Sequence, residues 1–461
     1  MIEDTIVAIA TPIGQAGIGV IRISGPAALD VVGRVFRSSV SVRELPSHTV
    51  HLGDAVDPET GEALDHVLLT VFHAPHSYTG ENVVELSCHG GPATLRRILT
   101  AVLTAGARHA APGEFTKRAF LNGKLDLAQA EAVNDLIRAQ TDHAQRVALR
   151  QLEGHLSKRV RSAGGELAEV LTKIEASIDF PDDVDEPGFD ALRGSLERLT
   201  RELEALLSSA DRGRVYREGL RVTISGRPNV GKSSLLNALL RQSRAIVTPM
   251  PGTTRDTIEE PINIKGVPIL AIDTAGLRDT GDAVETLGVE RAEASIERAQ
   301  IVLLVVDAHE GIAEEDRRLY AGLRGKPALV VLNKTDLLRP EQLEAAVREA
   351  ERRFGPEVAV PVSALNGTGI EKLEDRIAEL AVGGEVGPPE DILVSNVRHK
   401  RAIESALVSL RRAAETVSAR QPVDLVSVDL VASRNALGEI TGETAAEDLI
   451  DRIFSEFCVG K

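Results

Sequence analysis

The chain has 461 residues and carries 69 acidic against 53 basic side chains, which gives a formal net charge of −16. This length is too great for one hydrophobic core, so several domains are expected. The negative charge argues against unaided binding of RNA through broad phosphate neutralisation. The two cysteines cannot build a disulfide framework, and the acidic start Met1-Ile-Glu-Asp4 lacks the positive charge of a secretory signal. No apolar run reaches the ~18–20 residues that cross a bilayer, so we expect a protein of the reducing cytoplasm that does not enter a membrane.

The first part of the chain has the pattern of an α+β domain. Apolar and β-branched runs at 20–24, 65–71 and 82–86 predict strands, and Gly- and Pro-rich turns separate them. From residue 121 to 178 the pattern changes to helical periodicity with few helix breakers. A break at 180–187 then precedes another predicted helix.

A phosphate-binding loop is predicted in the middle of the chain. Residues 221–225 read as a strand and 234–240 as a helix, and Gly226-Arg-Pro-Asn-Val-Gly231-Lys232-Ser233 lies between them. This is the G-x-x-x-x-G-K-S pattern, in which backbone N–H groups and a helix N-terminus surround the phosphates. Lys232 is expected to reach the β- and γ-phosphates, and Ser233 is expected to bind Mg²⁺.

Two later motifs predict that the nucleotide is GTP. Asp273-Thr-Ala-Gly276 ends an apolar run and suits a carboxylate that acts on Mg²⁺. Asn333-Lys-Thr-Asp336 follows a buried-type strand, and Asp336 can accept hydrogen bonds from guanine N1–H and its 2-amino group. Adenine offers neither donor, so ATP would leave Asp336 unpaired.

Two further segments complete the predicted GTP site. Ser363-Ala-Leu365 follows the apolar run at 358–362, and its backbone is expected to contact the guanine oxygen. Thr253 or Thr254 is expected to close on Mg²⁺ as the switch I threonine. The position after Asp-x-x-Gly is Leu277, which cannot orient water as the Ras glutamine does. Four nearby acids could replace that glutamine, and their spacing does not choose among Asp279, Asp282, Glu285 and Glu290.

The end of the chain returns to helices. A Gly/Pro/Glu linker at 383–391 precedes predicted helices at 398–419 and 423–457. The expected fold is an α+β N-terminal domain and a discontinuous all-α helical domain that is interrupted by an α/β P-loop GTPase domain. The predicted limits are 1–118 for the N-terminal domain, 119–216 and 381–461 for the helical domain, and 217–380 for the GTPase domain.

With these motifs in view, the chain resembles the bacterial tRNA modification GTPases MnmE (TrmE) from end to end. These are potassium-activated P-loop GTPases of the TrmE-Era-EngA-like class. Besides the P-loop, the resemblance rests on Pro251-Gly-Thr-Thr-Arg-Asp256, Asp273-Thr-Ala-Gly-Leu-Arg278 and the C-terminal Phe457-Cys-Val-Gly-Lys461. The last of these separates the family from other GTPases with similar motifs.

The resemblance implies a reaction and its partners. The family acts with the flavoprotein MnmG, in a heterotetramer or larger complex, on C5 of the wobble uridine in certain tRNAs. It adds an aminomethyl or carboxymethylaminomethyl group, and a 5-formyl or methylene tetrahydrofolate held by the N-terminal domain supplies the carbon. The N-terminal domains form a homodimer, and potassium-stimulated GTP hydrolysis brings the GTPase domains together.

The resemblance also implies site residues. Lys232, Asn229 and Glu285 would be catalytic, with Glu285 orienting the water where Leu277 cannot. Mg²⁺ would bind Ser233 and Thr254. K⁺ would bind Asn229, Thr248, Met250 and Thr253. The motifs and the resemblance together assign GTP binding to Asn229, Val230, Gly231, Lys232, Ser233, Ser234, Thr248, Pro249, Met250, Pro251, Gly252, Thr253, Thr254, Asp273, Thr274, Ala275, Gly276, Asn333, Lys334, Thr335, Asp336, Ser363, Ala364 and Leu365.

Residues from both ends of the chain match the folate site of the family. They are Arg22, Glu85, Lys124 and Lys461, whose charges could pair with the pterin and glutamate groups of the ligand. Cys458 has two alternatives that stay open: it lies near the folate and uridine chemistry, or it is a buried small apolar residue.

Two other functions compete with tRNA modification. One is a ribosome-assembly or regulatory switch GTPase, and the other is a folate-binding module whose GTPase has decayed. Switch GTPases of that kind usually carry an RNA-binding appendage with a basic Gly-x-x-Gly loop, or a second GTPase domain, and the sequence indicates neither of these additional domains. The intact GTP motifs argue against decay. A basic cluster at Arg398-His-Lys-Arg401 and Arg411-Arg412 could contact tRNA or be a solvated helix face.

Overall fold

The computed structural model describes residues 4–242, 260–272, 295–323, 325–384 and 392–461. The chain divides into two compact units. Unit 1 comprises Met1–Asn134, Ser157–Gly165 and Arg434–Lys461, and unit 2 comprises Asp135–Leu156 and Glu166–Ser433. The α+β N-terminal part, the helical part and the α/β GTPase part that the sequence predicts are all present. The limits predicted for the individual domains stay a prediction.

Unit 1 contains a seven-stranded sheet with the strand order β3-β4-β5-β6-β2-β1-β7. Neighbouring strands are antiparallel except β1 and β7. The predicted strands at 20–24 and 65–71 are confirmed as parts of β2 and β5, and the strand predicted at 82–86 is confirmed from Val83 onward as part of β6. The strands are β1 Ile6–Ile9, β2 Ala16–Ser24, β3 Phe36–Arg37, β4 Thr49–Val56, β5 Ala63–Phe72, β6 Val83–Gly90 and β7 Arg108–His109.

The two faces of this sheet differ. Helices α1 (Ala28–Val35) and α2 (Pro92–Thr104) pack on the face that carries Val67, Leu69 and Val71, which are all buried. Because successive strand residues point to opposite faces, Leu68 between them points the other way. It is 46% exposed, and its partner across the β4–β5 pair, Leu52, is 73% exposed. One face is therefore a hydrophobic core, while the other exposes apolar side chains.

The C-terminal end of the chain packs within unit 1. Helices α3 (Glu114–Leu121), α4 (Leu127–Arg138) and α15 (Glu447–Ser455) surround a small core that contains Phe454 and Phe457. Gly113 has φ +65°, and a Cβ there would lie 2.6 Å from the carbonyl oxygen of Phe454. Only glycine meets both demands at this position.

Unit 2 contains most of the remaining long helices. Leu192, Leu196, Leu199 and Leu203 form a buried stripe on α7 at helical spacing, and α7 packs against α13. The helix predicted over 423–457 is in fact two helices, because Gly442 adopts φ +90° and ends the first one. The helices are α5 Asp142–Leu152, α6 His155–Asp179, α7 Phe189–Leu207, α8 Ala210–Glu218, α13 Val397–Ser418 and α14 Val423–Thr441, of which α6 and α14 also contribute to unit 1.

The GTPase part of unit 2 is a six-stranded sheet with the order β13-β12-β11-β8-β10-β9. All neighbouring strands are parallel except β9 and β10. The carboxyl ends of the parallel strands therefore meet at one edge, where ligands of such sheets bind. The elements are β8 Leu220–Ser225, α9 Lys232–Gln242, β9 Glu260–Ile264, β10 Val267–Ile272, β11 Ile301–Asp307, α10 Glu314–Ala321, β12 Ala328–Asn333, α11 Pro340–Phe354, β13 Ala359–Pro361 and α12 Ile370–Val382.

Across the part of the chain that the structure describes, none of the helices combines the length and the apolar character that crossing a bilayer requires.

Candidate nucleotide and folate sites

The P-loop joins the end of β8 to the start of α9 and depends on two glycines. Gly226 has φ +145°, and a Cβ there would lie 2.4 Å from the carbonyl oxygen of Val305. Gly231 has φ +96°, and a Cβ there would lie 2.3 Å from Nδ2 of Asn333. Both positions require glycine, since a side chain would push the loop away from β11 or from residues 333–336, the predicted guanine-reading loop. The loop is thus a cradle of backbone N–H groups at a helix N-terminus, which fits phosphate.

Lys232 lies inside this cradle as the first residue of α9. Its ammonium donates hydrogen bonds to the carbonyl oxygens of Gly226 at 2.7 Å and Arg227 at 2.8 Å. Burial lowers the pKa of Lys232 from its usual value, because the charged form loses water. An anionic phosphate in the loop would supply the negative charge that these neutral carbonyls lack.

The cation ligands predicted in the P-loop are partly described. Asn229 is exposed and has φ +63°, a left-handed conformation that asparagine tolerates well. Ser233 is half-buried in the first turn of α9. Within the described residues, no group of three or more His, Cys, Asp or Glu side chains could hold a metal ion.

The guanine-reading loop contacts the P-loop directly. Asn333, at the end of β12, is buried and donates through Nδ2 to the Val230 carbonyl oxygen at 2.9 Å. Its Oδ1 accepts from the Ala364 backbone N–H at 3.1 Å. Asp336 is exposed and accepts from the buried hydroxyl of Ser363 at 2.5 Å. The structure thus brings together the P-loop, residues 333–336 and residues 363–365, which lie far apart in the sequence.

Several predicted site residues lie outside the described part of the chain, so their roles stay predictions. They are Thr248, Pro249, Met250, Pro251, Gly252, Thr253, Thr254, Asp273, Thr274, Ala275, Gly276 and Glu285.

Two ion pairs beside these loops are not predicted by the GTP motifs. Arg227 of the P-loop pairs with Asp316 of α10 at 3.0 Å. Lys334 of the guanine-reading loop pairs with Asp307 at the end of β11, at 2.6 Å. The sequence contains one signal for Asp307 as a functional residue: it ends the apolar run Ile-Val-Leu-Leu-Val-Val-Asp, and the same pattern indicates Asp273.

The residues predicted to bind folate lie in unit 1, where the last residues of the chain also pack. Arg22 on β2 pairs with Glu85 on β6 through Nε and Oε1 at 2.8 Å, and its guanidinium lies over the rings of Tyr78 and Phe115. Arg22 also donates to the Gly460 carbonyl oxygen at 3.5 Å. The C-terminal residues therefore contribute to the surroundings of Arg22.

The other residues predicted to bind folate differ in their relation to the Arg22–Glu85 pair. Burial, and then the nearby charge of Arg22, lower the pKa of Lys461, so Lys461 lies within electrostatic reach of the pair. Lys124 is exposed and donates to the Pro75 carbonyl oxygen at 3.2 Å. Cys458 is exposed, so the alternative that it is a buried apolar residue is wrong.

The basic cluster on α13 is partly neutralised. Lys400 pairs with Asp211 at 2.8 Å, and Arg411 pairs with Glu204 at 2.7 Å. These acids favour the interpretation of a solvated helix face over that of an RNA-binding patch.

Known proteins resemble the chain along its whole length. The family model of the MnmE helical domain matches residues 127–458, and that of the GTP-binding protein TrmE N-terminus matches residues 5–124. The tRNA modification GTPase MnmE of Geobacillus kaustophilus is 49% identical over 462 residues, which cover 99% of each chain. The protein of the same name from Desulforamulus reducens is 48% identical over 464 residues, which cover 100% of each chain.

A solved structure of Era in complex with MgGDPNP and 16S ribosomal RNA nucleotides is 32% identical over 41% of this chain and 66% of that chain, with a TM-score of 0.29. The family models and the full-length relatives lead to one assignment: the chain belongs to the MnmE family of tRNA modification GTPases.

Proposed function

We propose that this GTPase modifies C5 of the wobble uridine of certain tRNAs in the cytoplasm, together with a flavoprotein partner of the MnmG type. The observation that carries the proposal is the full-length relationship to tRNA modification GTPases, combined with a P-loop and guanine-reading loop that meet at one sheet edge. GTP and Mg²⁺ are the ligands that this edge fits. The products are aminomethyl or carboxymethylaminomethyl uridines.

Hydrolysis in this proposal depends on the P-loop and on residues that follow it. Asn229 contributes to a K⁺ site with Thr248, Met250 and Thr253, and Glu285 orients the attacking water. K⁺, when bound, would neutralise charge that develops on the phosphates. The exposed position of Asn229 in a left-handed turn supports this role, because its side chain is not used in the core. Lys232 holds the phosphates from inside the cradle.

A tetrahydrofolate derivative binds unit 1 in this proposal and supplies the carbon. The Arg22–Glu85 pair supports this site, because it offers a donor array and an acceptor side by side on a half-buried sheet face. The aromatic rings of Tyr78 and Phe115 beside Arg22 add apolar surface that suits a flat heterocycle.

The protein is a homodimer through unit 1 in this proposal. The uncovered face of the seven-stranded sheet supports this, because Ile18, Val50, Leu52 and Leu68 expose 66%, 58%, 73% and 46% of their surface on it. Exposed apolar patches of this kind mark interaction surfaces. Arg22 and Glu85 lie on the same face, since the register pairs Arg22 with Glu85, Glu85 with Thr70 and Thr70 with Val50.

Nucleoside mass spectrometry of total tRNA tests the proposed reaction. Cells that lack the chain should lose the aminomethyl-type wobble uridines. The intact chain should restore them, and a Lys232→Ala variant should not, because that variant lacks the phosphate-binding ammonium. Unchanged nucleosides together with a ribosome-profile defect would instead support a ribosome-assembly switch.

A further inference from the structure

We propose that two buried carboxylates, Asp307 and Asp316, are positioning residues that set nucleotide affinity by fixing the guanine-reading loop and the P-loop. Both lie in one stretch of chain, from the end of β11 to the first turn of α10. This stretch lies outside the GTP-binding motifs. The proposal concerns GTP binding alone, so it does not depend on the tRNA reaction.

Asp316 acts on the P-loop through Arg227. Its side chain has no exposed surface, and its Oδ1 accepts a hydrogen bond from Nε of Arg227 at 3.0 Å. Its Oδ2 accepts from the Ala313 backbone N–H at 2.9 Å, which fixes the carboxylate at the N-terminus of α10. The carbonyl oxygen of Arg227 in turn accepts from the Lys232 ammonium. A shift of Arg227 would therefore move one of the groups that hold Lys232.

Arg227 depends on Asp316 for charge compensation. The Arg227 side chain is 18% exposed, and its Nη2 is buried without a hydrogen-bond partner among the described residues. Glu310 also reaches the guanidinium, but at 3.5 Å and from a side chain that is 61% exposed. An exposed pair of this kind contributes little, whereas removing one partner of a buried pair leaves an uncompensated charge. Without Asp316, Arg227 is expected to turn toward water and draw the P-loop backbone with it.

Asp307 acts on the guanine-reading loop through Lys334. The Asp307 side chain is 4% exposed and accepts from the Lys334 ammonium at 2.6 Å and from the His309 backbone N–H at 2.9 Å. Burial opposes its ionisation, but these hydrogen bonds outweigh that effect and keep the pKa of Asp307 below its usual value. Asp307 therefore stays charged beside Lys334 at neutral pH.

The ion pair holds Lys334 in an unfavourable backbone conformation. Lys334 has φ +65°, which costs energy for a residue with a side chain. The short turn Thr335–Leu337 that carries Asp336 follows at once. Loss of the pair would let Lys334 relax, and the carboxylate of Asp336 would leave its position against guanine.

The two carboxylates should give different binding signatures. Asp316→Asn should weaken GDP and GTP alike, by about tenfold, and leave the preference for GTP over ITP within about twofold. Asp307→Asn should weaken GTP by about tenfold and also reduce that preference, because ITP lacks the 2-amino group that Asp336 reads. A role in folding alone would not separate the two variants in this way.

The experiment is an equilibrium titration of the full chain with a fluorescent GDP, followed by competition with GTP and ITP. Glu310→Gln is the matched control for Asp316, because it changes an acid on the same guanidinium and should leave affinity unchanged. Asp375→Asn is the control for Asp307, because Asp375 also pairs with a lysine, Lys265, at 3.1 Å, but its side chain is 52% exposed. Unchanged affinities in the folded Asp307 and Asp316 variants would overturn the proposal, as would equal losses in the controls.

Folding is measured separately by thermal unfolding without nucleotide. If Asp316→Asn does not fold, the neutral pair Arg227→Gln with Asp316→Asn removes both charges at once and should show the same loss of affinity. Losses that follow only the unfolded fraction in each variant would assign both carboxylates to stability and reject the positioning role.

Discussion

Single polar side chains hold the nucleotide loops in place where no hydrophobic core can do so. Asn333 hydrogen-bonds to both the P-loop and residue 364, and Ser363 orients the carboxylate of Asp336 from a fully buried position. A buried polar group is costly unless its hydrogen bonds are made. These hydrogen bonds therefore fix the two loops relative to each other.

At this scale, we expect Asp336 to determine which base is bound. Asp336→Asn should lower GTP affinity by at least about a hundredfold and increase affinity for xanthosine triphosphate, whose base has an acceptor in place of a donor. Competition binding with the two nucleotides measures this. Glu344→Gln, at an acid of α11 that is 73% exposed, should change neither affinity. Retained GTP affinity in Asp336→Asn would mean that another group reads the base.

At the scale of elements, the regular parts could be predicted from the sequence and the tertiary contacts could not. The strand runs and the P-loop spacing predict β2, β5, β6, β8 and α9, because periodicity and Gly-x-x-x-x-Gly-Lys-Ser are local signals. The pairs Arg227–Asp316 and Lys334–Asp307 join residues 89 and 27 positions apart, since 316 − 227 is 89 and 334 − 307 is 27. No local pattern encodes such a pairing. The exposure of Cys458 likewise follows from packing rather than from its neighbours.

The β9–β10 hairpin gives a second example of a contact that only the fold determines. Its turn residue Gly266 has φ +85°, and a Cβ there would lie 2.2 Å from Nδ1 of His143 on α5. The ring of His143 packs edge-on against Tyr216 of α8, with centroids 5.7 Å apart. Within unit 2, the β9–β10 hairpin therefore contacts α5, and its strand β10 also contacts α8.

Gly266→Ala should destabilise unit 2 through this contact. Gly383→Ala is the control, because Gly383 has φ +72° and no atom of the described residues lies within 4 Å of the added Cβ. The control should lose about 1 kcal/mol of unfolding free energy from backbone strain. Gly266→Ala should lose about 1–3 kcal/mol more, because the imidazole must move. Thermal unfolding measures both losses of unfolding free energy, in the transition whose temperature GDP raises. Equal losses in the two variants would show that the His143 ring moves aside at no cost in free energy.

At the scale of the whole molecule, the uncovered sheet face of unit 1 should determine the oligomeric state. Leu52→Lys with Leu68→Lys should convert the proposed homodimer to monomer, because four charges would meet across a two-fold interface. Sedimentation velocity measures the change. Leu121→Lys, at a residue of α3 that is 53% exposed, should leave the dimer intact. A dimer that survives the double change would place the interface elsewhere.

The packing of the C-terminal residues into unit 1 also has a consequence for the order of events during synthesis. Arg22 and Gly460 are 438 positions apart, and the Phe115 backbone N–H donates to the Lys461 carbonyl oxygen at 3.2 Å. A ribosome that adds about 5–20 residues per second needs roughly 20–90 s to go from the first partner of each pair to the second. The sheet of unit 1 is thus synthesised early but gains these C-terminal contacts late. The described strands of the nucleotide-binding sheet all precede those C-terminal residues in the sequence. Until the C-terminal residues are made, Arg22 lacks its contact with Gly460. Under the proposed function, nascent chains would be expected to bind GTP before they can bind folate.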